Sequence, residues 1–153
     1  MKIVVPAIND LKIIDKIAVQ VHECHVNWRP DIFKHTKSIM NEEKLSNLIK
    51  NNEIFVAIIN KEIVGYVIIS SREMKMEGYI YRKQIKIEAI GVDENYRNQG
   101  VGSKLLEFMK EYARENNYTD IKLTVNEENE SAKHHYEKVG FKVENIAYSM
   151  PIK

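Results

Sequence analysis

The sequence predicts an α+β protein, and three observations point to that class. The first fifty residues show the periodicity of amphipathic helices, and this periodicity changes to that of strands near residue 53. Two β-rich segments joined by Asn60-Lys61 are typical of an antiparallel hairpin. The rest of the chain alternates strand, helix, strand, helix and strand, so helices and strands are both expected to build the core.

The N-terminal part predicts two helices. Residues 7–25 repeat apolar side chains at helical spacing behind Asn9 and Asp10, both good N-cap residues. Pro30 is expected to end this first helix. Asn41 is expected to cap a second, shorter helix.

The remaining elements follow from period and turn signals. The segment 83–92 carries β-branched residues on both faces, which is typical of a buried central strand. Gly140 suits the cap at the end of the last helix. Strands are predicted at 53–59, 62–71, 83–92, 120–125, 141–146 and 147–153, and the later helices at 103–117 and 126–140.

Composition and charge narrow the functional classes. The 153 residues predict a single domain spanning 1–153. A formal charge of +1 with scattered lysines gives no basic patch for nucleic acid. The longest apolar run, 54–59, is far shorter than the roughly 20 residues of a membrane span, and the N-terminus has too short an apolar run for a signal peptide. We therefore expect a cytoplasmic protein with no membrane partner.

No metal site is expected around the single cysteine. Because Cys24 is the only cysteine, the chain can form neither an internal disulfide nor a thiolate metal cluster. His22 and His25 flank it, but no carboxylate lies at a known ligand spacing. These residues are expected to be ordinary helix side chains.

Two glycines stand just ahead of the third predicted helix, in the stretch YRNQGVGSKLL at 96–106. The start of a helix presents free N–H groups and the positive end of its dipole, which attract phosphate. Gly100 and Gly102 remove the side chains that would keep an anion away, while Arg97 adds charge and Ser103 a hydroxyl. The loop therefore predicts a diphosphate site.

Two common phosphate-binding motifs do not fit this loop. A Walker loop needs lysine directly after its last glycine, whereas here Ser103 precedes Lys104. A dinucleotide fingerprint needs a third glycine where Leu105 stands.

The stretch 90–106 resembles the cofactor-binding motif of the GNAT N-acetyltransferase superfamily, whose loop reads R/Q-x-x-G-x-G/A. The stretch 123–141 resembles that family's following strand–helix segment. The matching positions there are Asn129, Ala132, Tyr136, Lys138, Gly140 and Phe141. The resemblance covers essentially the whole chain, although the first 50 residues match only in the order of elements.

The resemblance implies a GNAT-type fold with a mixed, mostly antiparallel sheet of about six or seven strands, flanked by about four helices and splayed between strands four and five. Acetyl-CoA, the cosubstrate, would lie in the splay, with its pyrophosphate on the glycine loop and its pantetheine arm along 90–92. The implied cofactor-binding residues are Ile90, Gly91, Val92, Arg97, Asn98, Gln99, Gly100, Val101, Gly102, Ser103, Asn129 and Tyr136.

A proton donor and a proton acceptor are needed to move an acetyl group from a thioester to an amine. The match to the family implies that Tyr136 is the general acid that protonates the leaving thiolate. The alternative hypothesis is that Tyr136 has only a structural role, as an aromatic ring packed beside Phe141.

Glu88 is the candidate general base. Simple alternation puts it on one face with Lys86, Ile90 and Val92, and a carboxylate among apolar neighbours can accept a proton. Its alternative role is an ion pair at the strand edge with Lys86 or Arg82. Glu23 and His25 stay open as water-relayed bases, whereas Asp93 and Glu94, in the turn before the loop, are expected to be solvated.

The acceptor pocket is expected near Trp28 and Arg29, and Arg29 would suit an acidic group; Trp28 could equally plug the core. The function implied is transfer of acetyl from acetyl-CoA to a primary amine, on a small molecule or a protein. A catalytically silent acyl-CoA sensor is the alternative, and a homodimer is left open.

Overall fold

The computed structural model describes residues 1–153 and contains five strands and four helices. The strands are β1 (Lys2–Val4), β2 (Ile54–Ile59), β3 (Glu62–Met74), β4 (Arg82–Val92) and β5 (Asp120–Leu123). The helices are α1 (Leu11–Trp28), α2 (Glu42–Lys50), α3 (Val101–Glu115) and α4 (Glu130–Val139). None of these helices is long and apolar enough to cross a membrane.

The strands form one sheet in the order β1-β2-β3-β4-β5. β1 to β4 pair antiparallel with their neighbours, and β5 joins β4 in parallel. This confirms the α+β class, the β2–β3 hairpin and the central position of β4. The short strand β1 was not predicted, because three residues are too few to show a period.

Helices cover both faces of the sheet. On one face Ile14 and Ile17 of α1 and Leu45 of α2 are fully buried against β2 and β3. On the other face Leu105 and Met109 of α3 are fully buried in a second cluster that includes β3 and β4 residues. Removing these apolar side chains from water is the main stabilisation of such a three-layer packing.

The helix ends follow the predicted caps in part. The Asn41 side chain accepts a 2.8 Å hydrogen bond from the Lys44 N–H, as expected of an N-cap. Gly140 closes α4 with a φ of 120°, the region that favours glycine. α1 begins at Leu11 with Asp10 at its N-cap position, as predicted, and residues 8–10 form a separate 3-10 turn before it.

The two strands expected at 141–146 and 147–153 are absent and the sheet has five strands, so the prediction of six or seven strands is wrong. Residues 141–146 and 147–153 form neither helix nor strand. The alternating pattern suits a strand, but a strand also needs a partner for its backbone groups, and these residues pair with none. Their apolar side chains are consequently exposed, Val143 by 74% and Tyr148 by 92%.

Candidate active site

A cleft opens where β4 and β5 separate. The two strands pair only from Gln84–Asp120 to Ile87–Leu123. β4 continues for five residues, 88–92, along which β5 offers no partner. A cavity of about 760 Å³ lies in this splay, lined by both strand ends and by α1, α3 and α4. The predicted splay between the fourth and fifth strands is confirmed.

A β-bulge at Glu88 sets which side chains face the cleft. Ile68 pairs with Ala89 and Ile69 pairs with Ile87, so Glu88 is the extra residue of β4. Because one extra residue inverts the alternation, Ile90 joins the α3-side cluster whereas Ala89 joins the α1-side cluster.

The prediction that Lys86, Glu88, Ile90 and Val92 share one face of β4 is therefore wrong for Ile90 and Val92, which follow the bulge. Val92 packs with Ile90 on the α3 side. Lys86 and Glu88 stay together, with 3.6 Å between Nζ and Oε2.

The loop before α3 holds its backbone in an anion-binding shape. Asn98 and Gly100 have φ values of 61° and 83°, so left-handed residues alternate with right-handed or extended ones. The N–H groups of 97–103 donate to no carbonyl of the preceding loop. A Cβ built on Gly102 would meet only Val92 Cγ2, at 4.0 Å, so the space beside the helix start is open.

Side-chain hydrogen bonds to backbone carbonyls hold this loop in place. Arg97 Nε donates to the Val92 carbonyl at 3.2 Å, and Gln99 Nε2 donates to the Asn95 carbonyl at 3.1 Å. Asp93 was expected to be solvated, but it is only 4% exposed and accepts a 2.9 Å hydrogen bond from the Asn95 N–H. Lys16 of α1 lies 3.7 Å from its carboxylate. Burial of Asp93 follows from this capping role, which ties the loop to β4.

Tyr136 lies on the α4 side of the cavity. Its ring contacts Phe141 edge-on at 5.8 Å between centroids, as the packing interpretation expected. Burial raises the pKa of the Tyr136 hydroxyl above its usual value of 10. A raised pKa keeps the phenol protonated at neutral pH, which is the state that a proton donor needs.

Glu88 lines the same cavity in a more polar setting than the sequence predicted. Its side chain is 42% exposed, and Ser70 Oγ donates to Oε1 at 2.6 Å. The expected alternative, an ion pair with Lys86, is present as well. Ser70 was missed by sequence reasoning, because only the pairing of β3 with β4 brings residues 18 positions apart into contact.

Helix α1 contributes the opposite wall. Cys24 and His25, expected to be ordinary helix residues, both line the cavity. Burial, with a smaller effect of His22, lowers the pKa of His25, so its imidazole is neutral at pH 7. Glu23 does not line the cavity and instead lies 2.6 Å from His35 Nδ1. Of the two alternative candidates for the base, Glu23 and His25, only His25 lines the cavity.

Of the two residues predicted to bind the acceptor, one lines the cavity and the other does not. Trp28 lines the cavity and packs edge-on against His25. Arg29 lies outside the cavity, and its Nε and Nη2 donate to Asp31 at 2.9 and 2.8 Å. Because Arg29 lies outside the cavity and its charge is already paired with Asp31, the expected contact with an acidic acceptor has no geometric support.

The model for the acetyltransferase (GNAT) family matches residues 19–141. The chain belongs to this family. The uncharacterized N-acetyltransferase in pepI 3'region of Lactobacillus delbrueckii subsp. lactis is 29% identical over 116 residues, which are 74% of this chain and 66% of that protein. The chain thus spans slightly under two thirds of the length of that curated relative.

Solved structures share the GNAT fold. A mutant of the BH1408 protein from Bacillus halodurans superposes with a TM-score of 0.94 over 100% of both chains at 24% identity. The aminoglycoside acetyltransferase meta-AAC0020 from an uncultured soil metagenomic sample, solved with trehalose, superposes with a TM-score of 0.67 at 22% identity, over 99% of this chain and 96% of that one.

The second family motif also lies at the cleft of this GNAT chain. The Asn129 side chain caps α4, its Oδ1 accepting from the Ala132 N–H at 3.1 Å, and the residue lines the cavity. No group of three or more His, Cys, Asp or Glu side chains lies close enough to hold a metal ion. The cleft thus brings together the glycine loop, the open edge of β4, Glu88, Tyr136 and Asn129.

Proposed function

We propose that the protein is an N-acetyltransferase that moves the acetyl group of acetyl-CoA to a primary amine. The observation that carries this proposal is the meeting of two features in one cavity. The unsatisfied N–H groups of 97–103 lie at one side, and the unpaired edge of β4 over 88–92 continues from them. A diphosphate joined to an extended, amide-bearing arm complements both features.

The residues of the loop fit the diphosphate of acetyl-CoA. Two left-handed residues, Asn98 and Gly100, turn successive N–H groups toward a common side, which makes a concave anion site. The dipole of α3 adds its positive end at the same place. The absence of a side chain at Gly102 leaves open the space that a phosphate oxygen needs.

The β4 edge fits the amide-bearing arm. The backbone groups of 88–92 that face away from β3 have no strand partner. An extended arm with amide groups can pair with them as an added strand would. Asn129, on the α4 side, lines the same space and can hydrogen-bond the arm with its side-chain amide.

Acetyl-CoA supplies a thioester acetyl group, and the chain supplies the proton transfers. A protonated acceptor amine first gives one proton to Glu88, directly or through a water, because only the neutral amine has the lone pair that forms the new C–N bond. The nitrogen then gives a second proton to solvent as the amide forms. A backbone N–H of 90–92 stabilises the oxyanion. The C–S bond then breaks, and Tyr136 gives its proton to the leaving sulfur.

The acceptor end of the cavity favours an amine next to an apolar group. Its walls here are Val21, Cys24, His25 and Trp28, and Glu88 is the carboxylate among the cavity residues. A cationic amine is attracted to that carboxylate, and an aromatic wall suits the apolar part beside it. Small molecules and protein amines both remain within this chemical class.

The test is calorimetric titration with acetyl-CoA, followed by measurement of free thiol with a panel of amines. Binding together with thiol release that depends on an amine supports the proposal. Binding without turnover on any small amine or peptide overturns the transferase in favour of an acyl-CoA sensor. Absence of acetyl-CoA binding overturns both. ATP is the control ligand, because it offers phosphates without the pantetheine arm.

A further inference from the structure

We propose that Gln20 and Lys16 of α1 are positioning residues for the loop at 97–103. They hold the turn from which this loop starts, and they thereby set the affinity for the diphosphate of acetyl-CoA, an inference that rests on the proposed function. Neither residue lines the cavity between β4 and β5. Their effect therefore reaches the ligand through the backbone that they hold.

Gln20 joins α1 to the turn directly. Its side-chain Oε1 accepts a 3.0 Å hydrogen bond from the backbone N–H of Glu94, a residue 74 positions away in the chain. Glu94 is the first residue of a short 3-10 turn, Glu94–Tyr96, and the first N–H groups of a helical turn have no acceptor within it. Gln20 thus supplies from α1 the acceptor that the turn itself lacks.

Lys16 lies one helical turn before Gln20 and meets the residue that precedes Glu94. Its Nζ lies 3.7 Å from Oδ2 of Asp93, whose side chain is only 6% exposed. A carboxylate held away from water needs a partner for its charge. This carboxylate also stands four residues before Arg97, at the entry to the loop proposed to bind an anion. Lys16 therefore offsets a charge that would repel a diphosphate.

β3 holds the same turn through separate contacts. The Asp93 N–H donates to the Val64 carbonyl at 2.8 Å. The Tyr96 hydroxyl donates to Glu62 Oε2 at 3.0 Å. The position of the turn thus depends on β3 and α1 together, and loss of the α1 contacts leaves it less restrained.

A side-chain contact joins the turn to the loop. Gln99 Nε2 donates to the Asn95 carbonyl at 3.1 Å, and the next residue, Gly100, is the left-handed residue that precedes α3. A displaced turn therefore disturbs the common orientation of the N–H groups of 97–103. The apparent affinity for a diphosphate then falls with the fraction of molecules that keep this orientation.

The first test is hydrogen exchange on the ligand-free chain, which does not depend on what the protein binds. Gln20→Met keeps the length of the side chain and removes the acceptor. We expect it to speed exchange of the amides of 94–100 by about 3- to 10-fold, the effect of losing one hydrogen bond. Lys12→Met is the control, because Lys12 is an exposed lysine of α1 one turn before Lys16, and it should change nothing. Unchanged exchange in Gln20→Met overturns the proposal.

The second test is calorimetric titration with acetyl-CoA. Gln20→Met should weaken binding by about 3- to 10-fold and Lys16→Met by about 2- to 5-fold, with kcat at saturating acetyl-CoA unchanged. Both variants should use S-acetylpantetheine as well as the wild type does, because this donor carries the acetyl group and the arm without the diphosphate. An equal loss for both donors would mean general damage to the site and overturns the proposal.

A double variant tests the charge of Lys16. Lys16→Met combined with Asp93→Asn should recover most of the lost affinity, because asparagine keeps an oxygen for the Asn95 N–H and carries no charge. Failure to recover overturns this role of Lys16. A wild type that does not bind acetyl-CoA overturns the proposed function. A wild type that binds it, with a Gln20→Met variant that binds equally well, overturns the positioning role alone.

Discussion

The Ser70 hydroxyl of β3 donates a 2.6 Å hydrogen bond to Glu88, the extra residue of the β-bulge in β4. The bulge makes Glu88 the unpaired residue of β4, while its side chain stays on the same side of the strand as Lys86. Ser70 and Lys86 then hold that carboxylate from two sides. The position of the proposed base therefore depends on strand register as much as on the glutamate itself.

We expect Glu88→Gln to lower kcat by about 100-fold or more, because a positioned base contributes about that factor. Ser70→Ala should lower kcat less, by about 3- to 10-fold, since it removes one hydrogen bond to a half-exposed carboxylate. Steady-state kinetics should show little change in KM for acetyl-CoA. Glu73→Gln is the control, because Glu73 is another strand glutamate paired with a lysine, Lys75.

An unchanged kcat in Glu88→Gln would contradict the base assignment and direct attention to His25. His25 is neutral at pH 7 and lines the same cavity, so His25→Gln is the variant to measure next.

Tyr136→Phe should lower kcat by about 100-fold while leaving acetyl-CoA affinity nearly unchanged, because the ring still packs against Phe141 and only the proton donor is lost. Burial raises the pKa of Tyr136, so loss of this proton should not slow the wild type between pH 7 and 9. Tyr112→Phe is the control; burial also raises the pKa of Tyr112, but this residue lies outside the cavity. Equal turnover in wild type and Tyr136→Phe would remove Tyr136 from the acid role.

Two glycines near the cleft are expected to serve different purposes. A Cβ on Gly102 meets open space, so Gly102→Val should keep the melting temperature and weaken acetyl-CoA binding by obstructing the loop. A Cβ on Gly91 would come within 2.8 Å of Tyr66 and 2.9 Å of Val21, so Gly91→Ala should destabilise the fold by about 1 to 3 kcal/mol. Thermal melts and calorimetric titrations of both variants check this. Full affinity in Gly102→Val would show that the diphosphate lies elsewhere.

The elements with a clear local pattern were predictable from the sequence. The period of α3, the Asn41 cap, the β2–β3 hairpin and the glycine loop all depend on residues close together in the chain. The structure places them as expected.

The features that were not predictable depend on contacts between distant residues. The bulge at Glu88 shifts register by one residue, and only pairing with β3 reveals it. Residues 141–153 have a strand pattern, but strand formation requires a partner edge. Arg29 looked available to a ligand, yet Asp31 pairs with it across the turn that follows α1.

Alkaline stability should depend on Tyr66, which is 3% exposed. Burial, followed by the charge of Asp15, raises its pKa from 10.0 to about 12. Because the folded state holds this proton more tightly than the unfolded state, the stabilisation is complete below pH 10 and is lost as pH rises toward 12. Between pH 9 and 11 the free energy of unfolding of the wild type should therefore fall by about 1 kcal/mol more than that of Tyr66→Phe. Urea denaturation at both pH values measures this difference. Tyr79→Phe, at a position 62% exposed, should follow the wild type; an equal loss in wild type and Tyr66→Phe would mean that the phenol ionises without unfolding cost.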